Sequence, residues 1–159
     1  MDDPLWPRAS TWLVRHSEGG GAAPSTAGVD VAVLGVPTCE TSISPTRADT
    51  TPAAIRAALA RYSTYSTAHD IDVASIRAVD YGDVESPDFA EGEARVAAAV
   101  AKTSGARLLI ALGGDNSATY SVASAAWGPD IRRAGLVTLD AAPLVSAGNG
   151  GPQARAVGV

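Results

Sequence analysis

The run Leu108-Leu109-Ile110-Ala111-Leu112-Gly113-Gly114-Asp115-Asn116-Ser117 constrains the fold more than any other stretch. An unbroken apolar segment stops at a glycine pair, and an acidic residue, an amide and a hydroxyl follow before a helical pattern begins. A segment apolar on both alternating faces reads as a parallel strand covered on both sides. In open α/β sheets the carboxyl end of such a strand is where ligands bind. The segment 29–36 has the same character, β-branched and almost wholly apolar, and Pro37 ends it. Further strands are expected over 76–79, closed by a turn Asp80-Tyr81-Gly82-Asp83, and over 135–139, closed by Asp140.

Helical patterns separate these strands. Thr51 and Pro52 form a start signal, Thr as N-cap and Pro at the first helical position, and Ile55, Leu59 and Tyr62 follow at helical spacing as an expected core face. Asp88 caps a second pattern running to about Lys102, with Phe89, Val96 and Val100 on one face and Ser104-Gly105 as its stop. Asn116 or Ser117 caps a third, which carries Tyr120, Val122 and Trp127 and ends at Gly128-Pro129. Alternating strands and helices imply an α/β fold, a three-layer α/β/α sandwich around a mostly parallel sheet. Residues 1–28 read as an N-terminal arm followed by a flexible loop, and residues 29–159 as one α/β domain. Trp6, Trp12 and Leu13 in the arm are expected to pack on the domain or on a neighbour.

The bulk numbers remove several classes. With 46% hydrophobic and 18% charged residues the chain has the material for a core. A net charge of −5 and the lack of any Arg/Lys cluster argue against a nucleic-acid surface. No apolar run reaches the roughly 18 residues of a membrane span, and the acidic start Met1-Asp2-Asp3-Pro4 does not resemble a signal peptide. The single cysteine, Cys39, cannot form an internal disulfide, so a cytoplasmic location is expected. No G-x-G-x-x-G follows a strand and no Walker A motif occurs.

Single residues with chemical potential have simpler readings. Ser117 beside Asp115 reads as a helix cap rather than a nucleophile. His16 and His69 read as solvated loop residues, Cys39 as a small hydrophobe rather than a reactive thiol, and Asp80 with Asp83 as turn residues around Gly82 rather than an acid–base pair. Asp140, at a strand end, reads equally as a remnant ligand or as a cap. Residues 38–50, a long polar loop after the first strand, lie on the ligand-binding edge.

Four landmarks stand in the order of one known family. They are Val33-Leu34-Gly35-Val36-Pro37, Thr51-Pro52-Ala53-Ala54-Ile55-Arg56, Gly113-Gly114-Asp115-Asn116-Ser117 and Leu139-Asp140-Ala141, with Asn149-Gly150-Gly151-Pro152 as a weaker fifth. From about residue 29 onward the chain resembles the N-terminal half of the ureohydrolase superfamily of arginase, agmatinase and formimidoylglutamase. The landmarks are similar to that family's first strand, its "GPxAIR" helix start, its "GGDHS" and "DAHxD" motifs and its "NGSP" loop. Residues 41–45 and 61–63 lean toward the formimidoylglutamase and agmatinase branch. The resemblance implies a pair of Mn²⁺ ions that bridge and activate a water for hydrolysis of a guanidino or formimino C–N bond.

The resemblance also exposes departures. The family's first histidine ligand falls at Asn116, its next histidine at Ala142 and its second aspartate at Leu144, while Asp140 is kept. The family's remaining ligands lie in a motif of its C-terminal half. The candidate metal positions are therefore Asn116 and Asp140, and the candidate substrate contacts are Asn149 and Ser42. One carboxylate and one amide are too few to hold two dications, so no bound cofactor is expected and the chain reads as non-catalytic on its own. Two alternatives stand beside this reading. One is a manganese hydrolase of linear amidines completed by a second chain or a further segment. The other is a metal-free small-molecule binding module using Asn116, Asn149 and the 38–50 loop, with an amidine or guanidino compound as a possible ligand. In the family, strands of the C-terminal half lie between the "GGDHS" and "DAHxD" strands. An exposed strand edge is thus expected, with a homo-oligomer or a partner chain completing the sheet.

Overall fold

The computed structural model describes residues 7–16, 28–135 and 137. The chain forms two compact units, Met1–Ala126 and Trp127–Val159. In the first, a short helix α1 (Ala9–Trp12) leads into strand β1 (Val14–Arg15). Strand β2 (Val31–Val36), helix α2 (Thr51–Ala58), a small antiparallel hairpin of β3 (Tyr65–Ser66) and β4 (Ile71–Asp72), strand β5 (Ala78–Asp83), helix α3 (Phe89–Lys102), strand β6 (Leu108–Gly113) and helix α4 (Ser117–Trp127) follow. The main sheet is parallel throughout, in the order β1-β5-β2-β6. This is the expected α/β architecture. The described part of the second unit contains a 3₁₀ segment, Gly128–Arg133, which begins at the Gly-Pro stop read from the sequence.

The central strand β2 is buried at all six positions because helices cover both of its faces. On one face, Leu34 and Val36 pack with Val96 and Val100 of α3 and Ala118 of α4. On the other, Val31 and Val33 pack with Ala78 of β5 and with Trp12 and Leu13 of the arm. The Trp12 indole N–H donates to the Ile76 carbonyl at 2.7 Å, which satisfies the one polar atom of that ring. The arm thus packs on its own domain and also adds a strand to the sheet edge, which its sequence does not announce. The expected loop before β2 and the expected strand over 135–139 lie wholly or largely outside the described residues.

Three expectations need correction. Helix α2 does not bury Ile55 and Tyr62, which are 39% and 63% exposed. It turns Pro52 and Arg56 inward instead, two residues at the i, i+4 spacing that shares a helix face. The helix sits over the glycine and carboxylate end of the sheet, so its inner face is polar rather than greasy. In α3 the buried line is Gly92, Val96 and Val100, while Phe89 stands 66% exposed at φ 62°. Gly92 is required there, since a Cβ would lie 2.2 Å from the Pro87 carbonyl. Finally, Asp80 to Asp83 are not a turn after β5. They are its last residues, and the register against β2 shifts by a bulge between Val33 and Gly35.

Candidate functional site at the carboxyl edge of the sheet

The carboxyl ends of β2 and β6 meet through backbone bonds. Val36 O accepts from Gly114 N at 3.0 Å, and Thr38 O accepts from Asp115 N at 2.9 Å. Gly114 passes so close to Thr38 that an added Cβ would lie 1.8 Å from the Thr38 carbonyl oxygen. Only glycine permits that approach. The result is that the Asp115 carboxylate is delivered under the start of the 38–50 loop.

Asp115 is the hub of the edge. Its Oδ2 accepts from the hydroxyls of Thr41 at 3.0 Å and Ser42 at 3.1 Å. Its Oδ1 accepts from the Ser117 amide at 3.1 Å and the Ser117 hydroxyl at 2.5 Å. The carboxylate of Asp115, rather than the side chain of Asn116 or Ser117, therefore satisfies the first turn of α4. Partial burial alone raises its pKa, but the hydrogen bonds from Ser117, Thr38 and Thr41 outweigh that and bring it down to about 2. A depressed carboxylate contributes stability that is fully present above its unfolded pKa near 4 and is lost as pH falls toward 2. Asp115→Ala is expected to cost about 2 kcal/mol, since it strands several donors of a charged acceptor. Hydrogen exchange should show the amides of the 38–50 loop exchanging faster in that variant. An unchanged loop would mean that the hydroxyl contacts do not hold it.

A second carboxylate anchors the same loop from the other side. Asp88 precedes α3, as expected of a cap, yet it does not cap its own helix. Its Oδ1 accepts instead from the Cys39 and Glu40 amides, both at 3.1 Å. Cys39 is half-buried, and burial together with Glu40, Asp49, Asp88 and Asp115 pushes its thiol pKa up. That environment disfavours the thiolate, in agreement with a non-reactive cysteine.

A third group closes the base of the edge. Arg56 of α2 reaches Asp80 through Nε–Oδ2 at 2.7 Å and Nη2–Oδ1 at 2.8 Å, and Asp83 through Nη1–Oδ1 at 2.6 Å. Its Nη2 also donates to Gly82 O at 3.1 Å, and Gly82 N donates to Asp80 Oδ1 at 3.0 Å. Burial pushes the Asp80 carboxyl up, but the Arg56 hydrogen bond, the Gly82 amide and the Arg56 charge more than offset it and hold the group low. Asp80 is thus a fixed anion serving Arg56 and is not an acid–base partner of Asp83. His16 is not simply solvated. Its ring stacks on Tyr81 at 5.0 Å and its amide donates to Asp80 O. His69 is exposed, as expected.

Of the four candidate site residues, the structure brings Ser42 to the Gly-Gly-Asp turn through Asp115. Asn116 is exposed at that turn, its carbonyl accepting from Thr119 N. Asp140 and Asn149 lie outside the described residues. Sequence reasoning missed Thr38, Thr41, Asp88 and Arg56. Their signal was present only as polar residues flanking strand ends, with nothing to say which carboxylate each would meet.

The arginase family model matches residues 29–142. A search of curated protein sequences gave no match. Among solved structures, the chain is similar to a formimidoylglutamase from Bacillus subtilis subsp. subtilis str. 168, with 27% identity and a TM-score of 0.66 over 79% of this chain and 38% of that one. It is also similar to a Trypanosoma cruzi formiminoglutamase carrying Mn²⁺, with 19% identity and a TM-score of 0.68 over 85% of this chain and 44% of the other. An asparagine-to-histidine variant of the latter, also with Mn²⁺, matches at 18% identity and a TM-score of 0.69, over 89% of this chain and 48% of the other. The chain spans less than half the length of each of these structures.

Among the described residues the donor set fits a manganese pair poorly. Among the described residues no three His, Cys, Asp or Glu side chains stand together in a metal-holding group. Asn116 offers a neutral amide, and both oxygens of the adjacent Asp115 are already taken by hydroxyl and amide donors. A cation there would have to break those bonds for one anionic ligand.

Proposed function

Because this chain belongs to the arginase family, we propose that it is a relative of formimidoylglutamase which keeps the scaffold of the pocket and does not hydrolyse a C–N bond by itself. One observation carries the reading. The turn that presents the family's first ligand position offers Asn116, and its only carboxylate, Asp115, serves as a structural hub. Ala142 and Leu144 bring no donor at the other family positions, which leaves Asp140 as the single anionic candidate. Two hard cations need several anionic and imidazole ligands to deprotonate a shared water near neutral pH.

Metal analysis tests this directly. After dialysis against Mn²⁺ and removal of free ion, the purified chain is expected to retain well under one equivalent. Two tightly held equivalents, with release of formamide from a formimino compound or of urea from a guanidino compound, would overturn the proposal. A companion experiment restores the family residues with Asn116→His, Ala142→His and Leu144→Asp together. Made in the 159-residue chain, that triple variant is expected to remain inactive, since both Asp115 oxygens stay with their hydroxyl and amide donors and no group of three metal-ligating side chains stands among the described residues.

A further inference from the structure

The start of α3 carries a signature that the structure leaves unused. Asp88-Phe89-Ala90-Glu91 places an acceptor at the N-cap and a glutamate three residues on, the spacing of a capping box. Asp88 nevertheless makes no side-chain cap bond to its own helix. Its Oδ1 takes the Cys39 and Glu40 amides instead, at 3.1 Å each, 49 and 48 residues away in the chain. The first helical residue is strained in this arrangement. Phe89 sits at φ 62°, in the left-handed region, where a Cβ crowds the following carbonyl. Ser86 stands at φ 44° in the same segment. Arg95 of α3 braces Ser86: its Nε donates to the Glu85 and Ser86 carbonyls at 2.9 and 3.1 Å, and its Nη2 to Ser86 O at 2.6 Å. That brace belongs to the same helix and stays with the segment whichever partner Asp88 takes. The tie from this segment to the 38–50 loop runs through the Asp88 carboxylate.

We propose that Asp88 is a two-position switch. In the moored position, the one observed, its carboxylate holds the Cys39 and Glu40 amides and Phe89 is left-handed. In the capping position residues 87–89 re-aim and Phe89 takes the right-handed helical conformation. Asp88 then accepts from the Ala90 or Glu91 amide, Glu91 reaches back to the Asp88 amide, and the 39–42 segment keeps its bonds to Asp115. The two positions are closely matched. Two carboxylate–amide bonds to the loop are exchanged for a helix cap and the relief of one left-handed residue, contributions of similar size. An element with so small a gap can be biased by anything that binds one position better than the other. The rim of the carboxyl edge is therefore held by a releasable tie at Cys39 and Glu40 and by a fixed one at Thr41 and Ser42. The switch needs neither metal nor hydrolysis, so it stands or falls apart from the function proposed above.

Residue-resolved amide hydrogen exchange on the full chain tests it. Phe89→Gly removes the left-handed penalty and weakens the helical alternative, so the Cys39 and Glu40 amides should exchange about fivefold more slowly than in the parent. Phe89→Pro fixes φ at about −65°, suits the first helical position and forbids the moored arrangement. The same two amides should then exchange about tenfold faster, while that of Ala90 or Glu91 slows. Asp88→Ala separates a switch from a simple tether. In the parent it should speed exchange at Cys39 and Glu40. In the Phe89→Pro background it should instead speed exchange at Ala90 or Glu91 and leave Cys39 and Glu40 unchanged. Far-ultraviolet circular dichroism and thermal melts check the fold of each variant. A Phe89→Pro chain that does not fold overturns the proposal, because the capping position has to be a folded state. So does one whose Cys39 and Glu40 amides stay protected, and so do equal effects of Asp88→Ala in both backgrounds. Unslowed exchange at Cys39 and Glu40 in Phe89→Gly overturns it as well.

Discussion

Replacing Arg56 with methionine is expected to destabilise the fold by about 3–5 kcal/mol, the loss associated with breaking a buried ion pair by removing one partner. Asp80 is 2% exposed and would keep only the Gly82 amide and the weaker influence of the Arg15 charge to hold its anion. Methionine preserves much of the volume, so the loss reports charge and hydrogen bonding rather than a cavity. Asp83→Asn is the matched control. Asp83 is 44% exposed at its side chain, and its exchange should cost no more than about 1 kcal/mol. The double variant Arg56→Met with Asp80→Leu should be more stable than Arg56→Met alone, because the stranded anion is gone. Acid adds a sign test. In the parent chain Asp80 is held low, so its contribution fades as pH falls below the ordinary carboxylate range. In Arg56→Met the unpaired, buried carboxyl is pushed up instead, and lowering the pH through that raised value should stabilise the variant relative to the parent. Urea midpoints for the four chains across pH 3 to 7 would decide it. An additive double variant with no change of sign in acid would remove the clamp from the account.

Gly114→Ala is the second large effect. The added methyl would lie 1.8 Å from the Thr38 carbonyl oxygen and 2.6 Å from its nitrogen, atoms that cannot swing aside without moving the chain. A loss of about 3 kcal/mol or more is expected, at the upper end of overpacking, because the backbone bonds from Gly114 to Val36 and from Asp115 to Thr38 must shift with it. Gly113→Ala, one residue earlier, meets only the Ala118 Cβ at 3.5 Å and should cost under about 1 kcal/mol. Thermal melts of the two variants read the contrast. Equal losses at both glycines would show that the close approach is not what demands glycine at 114.

The two predictions mark where the sequence was readable. Apolar runs located β2 and β6 to within about two residues and helical spacing located α3, but only β2 is covered on both faces as its composition implies, while β6 leaves Leu108 and Ile110 exposed. The Gly-Pro stop after α4 was equally plain. The carboxyl edge was not. Arg56 looks like an ordinary exposed helix residue until Gly35 is seen to clear room beneath it, where an added Cβ would strike Asp83 and Pro52. The apolar residues of α2 suggested a face that the structure turns toward solvent, since what lies under the helix is a pair of carboxylates. Asp88 and Asp115 were both legible as residues near helix starts. Which of them would cap a helix and which would pin a loop depends on contacts across dozens of residues, and local spacing carries no record of those.

Asp88 and Asp115 hold the loop at Cys39 to Ser42 from two directions, and a 3₁₀ turn at Ala48–Thr50 fixes its far end. Between these moorings Ile43 is fully solvent-exposed. Insertions placed at 43–45 should therefore be accepted at little thermodynamic expense, since lengthening an already closed loop adds only logarithmically to its entropy. The same insertions at 39–42 would tear both carboxylates from their partners. A library diversified in length at 43–45 would thus yield folded clones, and this rim of the carboxyl edge offers itself as a place to graft new recognition onto the scaffold.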